Sequence, residues 1–172
     1  MQVVQGQRMN DTFTLAEIAS RAKVTVNRLR YVIDSDILPG HRNGIVEWRS
    51  SQGVTRKYTN YATFGIVLTV VMLDHGLRRT IVMQILDLIC GYTRSRTRDL
   101  RCVPLYAAFM SNKVSALQVG DGVNLRFMAD GSDVGGLPAN VWFQVETRAR
   151  VEGFEPSVIV ELNLTKLRRL WK

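Results

Sequence analysis

The 172-residue sequence predicts an α+β protein: a helical module that carries a β-hairpin, followed by a small antiparallel sheet. Two changes along the chain carry that prediction. Up to about residue 90, apolar residues recur three and four apart, as in helices with one buried face, and a single β-branched and aromatic stretch interrupts them. From about Val114 the period drops to two, the alternation of half-buried strands. Charge follows the same division. The net charge of +8 splits into an excess of +4 over residues 1–92, +4 over 93–113 and none over 114–172.

The first element is read from "TLAEIASRA". Thr14 is placed to cap a helix and Glu17 stands three residues on, the spacing of a capping box, so a helix is expected over Leu15 to Arg21. After "KVT", Thr25 can cap a second helix whose apolar stripe is Val26, Leu29, Val32 and Ile33, and Pro39 with Gly40 ends that region. Two helices joined by three or four residues form a helix-turn-helix pattern. Ile45 to Arg49 and Val54 to Tyr58 flank a Ser-Ser-Gln-Gly turn and read as a β-hairpin. Thr59 or Asn60 caps a third helix, with Phe64, Val67, Leu68, Val71 and Met72 at core spacing, which "DHG" stops. Thr80 opens a fourth, with Ile81, Ile85, Leu86 and Ile89 inward.

"GYTRSRTRDLR" is arginine-rich and poor in apolar residues, so it reads as a basic linker, with a short helix around Pro104 to Ser111. Three alternating runs follow: Val123, Leu125 and Phe127; then Val141, Phe143 and Val145; then Val158, Val160, Leu162 and Leu164. Turns fall at "GDG" and "DGSDVGG", and "TKLRRLWK" has helical spacing. The expected organisation is a flexible leader (1–11), a winged helix-turn-helix domain (12–92), a linker (93–113), and a small antiparallel β domain with a C-terminal helix (114–172).

Several function classes are disfavoured. Hydrophobic content of 46% with a mean hydropathy of −0.02 describes a globular chain, and no apolar run approaches a membrane span. "MQVVQGQRMNDTF" lacks the apolar core of a secretory signal, and two cysteines, Cys90 and Cys102, are too few for a disulfide framework; a reducing cytoplasm is expected. There is no P-loop, zinc helix, nucleophile elbow or dinucleotide fingerprint. His41 and His75 stand without ligand-spaced neighbours, and "MADGSDVGG" lacks the ligand pattern of a calcium loop and reads as a hairpin loop. The expectation is no enzyme, no cofactor and no metal. A one-sided basic excess points to nucleic acid instead.

The residues that sharpen this are "FTLAEIASRAKVTVNRLRYVIDSDILPG" and "TRKYTNYATFGIVLTVVMLDHGLRRTIVMQIL". Phe13, Leu29-Arg30-Tyr31, Leu38-Pro39, Arg56-Lys57-Tyr58 and His75-Gly76-Leu77, in that order, resemble the winged-helix DNA-binding domain of the MerR family of bacterial transcription regulators over about residues 12–90. The chain differs from that family's pattern at three points. Lys23 stands where the family usually has Gly, Val32 replaces a second aromatic, and no long dimerising helix follows. A left-handed turn at Lys23 would be strained by its Cβ, although Lys tolerates milder turns, and the sequence leaves this residue unexplained.

The resemblance implies sequence-specific binding to duplex DNA, with the recognition helix 25–34 in the major groove and the wing 45–58 on the backbone. Elementary recognition chemistry agrees, because Asn reads adenine and Arg reads guanine from the start of such a helix. Asn27 and Arg28 are the expected base readers; Thr25, Arg30 and Tyr31 are expected on phosphate, and Thr14 near it. Arg42, Arg49, Arg56, Lys57 and Tyr58 of the wing would add backbone contacts. The plainer alternatives are an Arg30–Asp34 surface bridge, packing roles for Tyr31, Tyr58 and Trp48, and a merely tethering linker. One winged helix reads only a few base pairs, so a homodimer is expected, with Trp142, Phe154 or Trp171 of the C-terminal domain as anchors. A nucleoid-associated regulator in the bacterial cytoplasm is the leading reading. A DNA-bending, excisionase-like recombination factor uses the same surfaces, and a protein-interaction adaptor pairing through the sheet edge is the alternative of another class.

Overall fold

The computed structural model describes residues 12–38, 45–50, 53–89, 111 and 113–171, with 45–50, 53–54 and 171 described through their backbone. The leader, Arg42, His41, Cys90, Cys102, nearly all of the linker and the short helix expected before Ser111 lie outside the described residues, as do the side chains of Trp48, Arg49 and Trp171.

The architecture is α+β. A three-residue strand β1 (Thr12–Thr14) leads into α1 (Leu15–Ala22), and α2 (Val26–Asp34) follows after a three-residue turn. Then come β2 (Ile45–Ser50), β3 (Gly53–Thr59), α3 (Asn60–Asp74) and α4 (Arg79–Ile89). The C-terminal half holds β4 (Val114–Gly120), β5 (Asn124–Ala129), β6 (Asp133–Val134), β7 (Leu137–Pro138), β8 (Phe143–Gln144), β9 (Ile159–Asn163) and α5 (Leu164–Arg168), which runs on into a 3-10 turn (Arg169–Trp171). Among the described residues no helix is long and apolar enough to cross a membrane.

Local chemistry explains the helical half. Thr14 caps α1 in a full capping box: Glu17 N–H donates to Thr14 Oγ1 at 3.3 Å, and Thr14 N–H donates back to Glu17 Oε2 at 2.7 Å. Thr25 caps α2 and Thr59 caps α3 through their side-chain oxygens. The hairpin β2–β3 pairs Ile45 with Tyr58 through to Ser50 with Gly53, and β1 joins the free edge of β3, setting Phe13 beside Tyr58. No strand signal marks β1 in the sequence, because three residues are too few to show a period. α3 is buried nearly all round, from Ala62 to Met72 except Val71, and forms the centre of the half.

Three helices end in the same way. α1, α2 and α3 are each followed by a residue at positive φ, namely Lys23 (55°), Asp36 (52°) and Gly76 (83°). The next residue in each case is apolar, and its N–H reaches back five residues: Val24 to Ala19, Ile37 to Val32 and Leu77 to Met72, at 3.1, 3.2 and 3.2 Å. These are left-handed helix caps sealed by a hydrophobic contact. Of the two turns open at Lys23, the structure shows the strained one: Lys23 takes φ 55° and ψ 41°, the full left-handed conformation that glycine favours.

The C-terminal half is a four-stranded antiparallel sheet in the order β8-β5-β4-β9. Its alternation holds for Leu125, Phe127, Phe143, Val145 and Leu162, all buried, and fails at the strand ends. Val123 belongs to the turn after Asp121 and Gly122, both at positive φ, and is 45% exposed. Val158 is 63% exposed, because Asp121 accepts from the N–H groups of Ser157 and Val158 and pins the start of β9 where the core has run out. Leu164, expected as the end of a strand, instead opens α5, capped by Asn163. The "DGSDVGG" segment folds as the miniature hairpin β6–β7 around Gly135 and Gly136, both at positive φ, as its turn requires.

β4 lies between β5 and β9 and is covered on both faces. Leu117 and Val119 join the core, while Gln118 and Gly120 lie beneath a cover of Arg126, Trp142, Phe154 and Pro156. A Cβ on Gly120 would lie 2.9 Å from the Phe154 ring and 3.1 Å from that of Trp142. Trp142, expected as a dimer anchor, is 7% exposed and packs edge-on against Phe154 at 5.4 Å, under the Arg126 guanidinium at 4.4 Å. That closure of the sheet occupies both aromatics. Buried side chains of the two halves form one connected cluster, with α5 packed on α3.

Candidate nucleic-acid interface

α2 is held by its buried stripe of Leu29, Val32 and Ile33, each contributing about 1.5–3 kcal/mol of apolar burial. That stripe fixes what the helix offers outward. Asn27, Tyr31 and Asp34 recur at i, i+4 and i+7 on the opposite face, all exposed, with Tyr31 at 42%. Arg28 and Arg30 lie on the two flanks and go to different neighbours.

Arg30 turns toward the hairpin. It lines an open groove of about 500 Å³ together with Thr14, Leu15, Ile33, Asp34, Thr55, Arg56 and Tyr58. The expected residues Thr14, Arg30, Arg56 and Tyr58 therefore meet in one place, although they come from β1, α2 and β3. The Arg30–Asp34 bridge weighed above does not form: the described residues offer Arg30 neither a hydrogen bond nor an ion pair. Lys57, the register partner of Thr14, lies on the α1 side, close enough to help lower the Glu17 pKa. Hydrogen bonds from the Thr14 backbone and hydroxyl are the larger causes of that lowering.

Arg28 turns the other way and forms an ion pair with Asp74 at the end of α3. Both side chains are nearly half exposed, so the pair contributes about 0.2–1 kcal/mol. A bidentate guanine contact is worth about 1–3 kcal/mol of discrimination, so releasing Arg28 to a base is affordable. Nothing in the sequence signals this partnership, since 46 residues separate the two. Beside it, Arg79 donates to Ser35 O at 3.1 Å and ties the start of α4 to the end of α2.

Tyr58 is a correction. Expected among the backbone contacts, it is 1% exposed, packed in the core beside Phe13, and burial raises its phenol above the ordinary value. Thr14 and Thr25 spend an oxygen lone pair each on helix caps. Arg42 and the Arg49 side chain lie outside the described residues.

Comparisons with protein-family models, with curated proteins and with solved structures found no match to the chain.

Proposed function

We propose that the chain binds duplex DNA as a MerR-like, winged-helix transcription regulator, with α2 in the major groove and the β2–β3 hairpin along the backbone. The observation that carries this reading is the groove where Arg30 of α2 and Arg56 of β3 meet beside Thr14. Two guanidiniums converging from a helix and a wing suit a phosphate lying between them. Asn27 and Tyr31 then face the groove floor, with Arg28 reaching a base after leaving Asp74. Asp34, the acid on that face, can accept from a cytosine amine.

The charge distribution supports the same reading, because the first 113 residues hold the whole excess of +8. In this reading the protein acts as a homodimer in the bacterial nucleoid, carries no catalytic group, and leaves residues 114–172 to meet a second copy or a protein partner. The test is retention of the purified chain on duplex DNA as salt rises. Binding at about 50 mM salt that falls linearly on a log–log plot is expected, and absence of any affinity there overturns the reading.

A further inference from the structure

A cavity of about 490 Å³ lies in the seam where the turn after α1 and one side of α3 meet β9 and the C-terminal helical turns. Its volume falls in the range of small-molecule sites, about 300–1,000 Å³. The floor is apolar: Leu68 and Val71 from α3, Leu162 from β9, Leu167 from α5 and Leu170 beyond it. The rim is basic, with Arg21, Lys23, His75 and Lys166 against the single carboxylate of Glu161.

Most of the rim's polar groups are already engaged. The Arg21 guanidinium stacks 4.7 Å from the Phe13 ring centre and donates to Leu170 O. His75 Nδ1 lies 2.8 Å from Val71 O, and Glu161 accepts from Gln118 Nε2. The ammonium groups of Lys23 and Lys166 are the exception. The described residues give neither of them a hydrogen bond or ion pair, although Glu161 lines the same cavity.

We infer that the seam binds a small amphipathic carboxylate of the size of a medium-chain fatty acid. Its apolar body covers the leucine floor, and its carboxylate meets the Lys23 and Lys166 ammoniums. An inorganic anion would leave the floor bare, and a cationic amphiphile would meet like charge at the rim. The site needs no DNA, so it is tested on the free protein and stands or falls apart from the proposed function.

The probe is octanoate, titrated into the full chain by calorimetry, with 1-octanol and octyltrimethylammonium as its neutral and cationic counterparts. One saturable octanoate site is expected, with octanol about tenfold or more weaker, the loss of a charge-assisted contact. Lys23→Gln and Lys166→Gln should each weaken octanoate about threefold to tenfold and leave octanol unchanged, with unaltered circular dichroism verifying the fold. Equal affinity for octanoate and octanol, octanoate binding that survives the double substitution, or no saturable binding up to about 5 mM would overturn the inference.

Discussion

Replacing Lys23 with glycine should stabilise the protein. Lys23 sits at φ 55° and ψ 41°, where a Cβ crowds the backbone at a cost of about 1–2 kcal/mol. Glycine removes that crowding and gains about 0.4–1 kcal/mol of unfolded-state freedom in return, which opposes the benefit. The difference leaves Lys23→Gly more stable by about 0.5–1 kcal/mol, a rise of about 0.2–0.5 M in urea midpoint at unchanged m. Lys23→Ala separates backbone from charge, since it removes the ammonium and keeps the Cβ; it should stay within about 0.5 kcal/mol of the parent. Gly76, at φ 83° in the equivalent cap of α3, supplies the reverse experiment, and Gly76→Ala should lose about 1 kcal/mol. A Lys23→Gly protein that is no more stable than Lys23→Ala would refute the argument from conformation.

Three further outcomes follow from particular contacts. Gly120→Ala should destabilise by about 1–3 kcal/mol in thermal or urea unfolding, because its Cβ meets Phe154, Pro156 and Trp142 at 2.9–3.1 Å; an unchanged midpoint would mean that this cover is loose. Thr14→Ala should cost about 1 kcal/mol at neutral pH. Glu17, held below its ordinary value of 4.5 by hydrogen bonds from Thr14, binds fewer protons folded than unfolded, so its contribution is full above that value and is lost as pH falls through the lower, folded pKa. The gap between Thr14→Ala and parent should narrow below about pH 4.5, and a gap constant down to acid unfolding would contradict the capping-box account. Tyr58→Phe keeps the core packing and should leave DNA affinity at fixed salt unchanged, whereas a several-fold loss with the fold intact would return Tyr58 to the backbone contacts.

The helical half was largely legible because its signals are local. Threonine caps, one buried stripe per helix and the β-branched hairpin each lie within a few residues, and the observed α1, α2, β2, β3, α3 and α4 fall close to the expected spans. The change of period at about Val114 marks where the sheet begins, but β4 itself carries no alternating run for a physical reason: covered on both faces, it buries Ala116 to Gly120 without a break. Contacts between distant residues were illegible for the same kind of reason. Arg28 with Asp74, Gly120 beneath Trp142 and Phe154, and Lys23 with Lys166 around one cavity all depend on how the chain closes, which no local pattern records. Lys23 was visible as the odd residue in its turn, but only the fold connects it with a cavity.

The proposed contacts of Arg30 and Arg56 in the groove, and of Lys57 on the α1 side of the wing, with a DNA backbone can be measured directly through counterion release. Fluorescence anisotropy of a labelled duplex between about 50 and 200 mM salt compares the parent with the Arg30→Gln, Arg56→Gln, Lys57→Gln triple variant. With three phosphate contacts removed at about 0.9 each, the log–log salt slope should become shallower by about 2.7. A parent without measurable affinity, or a triple variant with the parent's slope, would contradict the account.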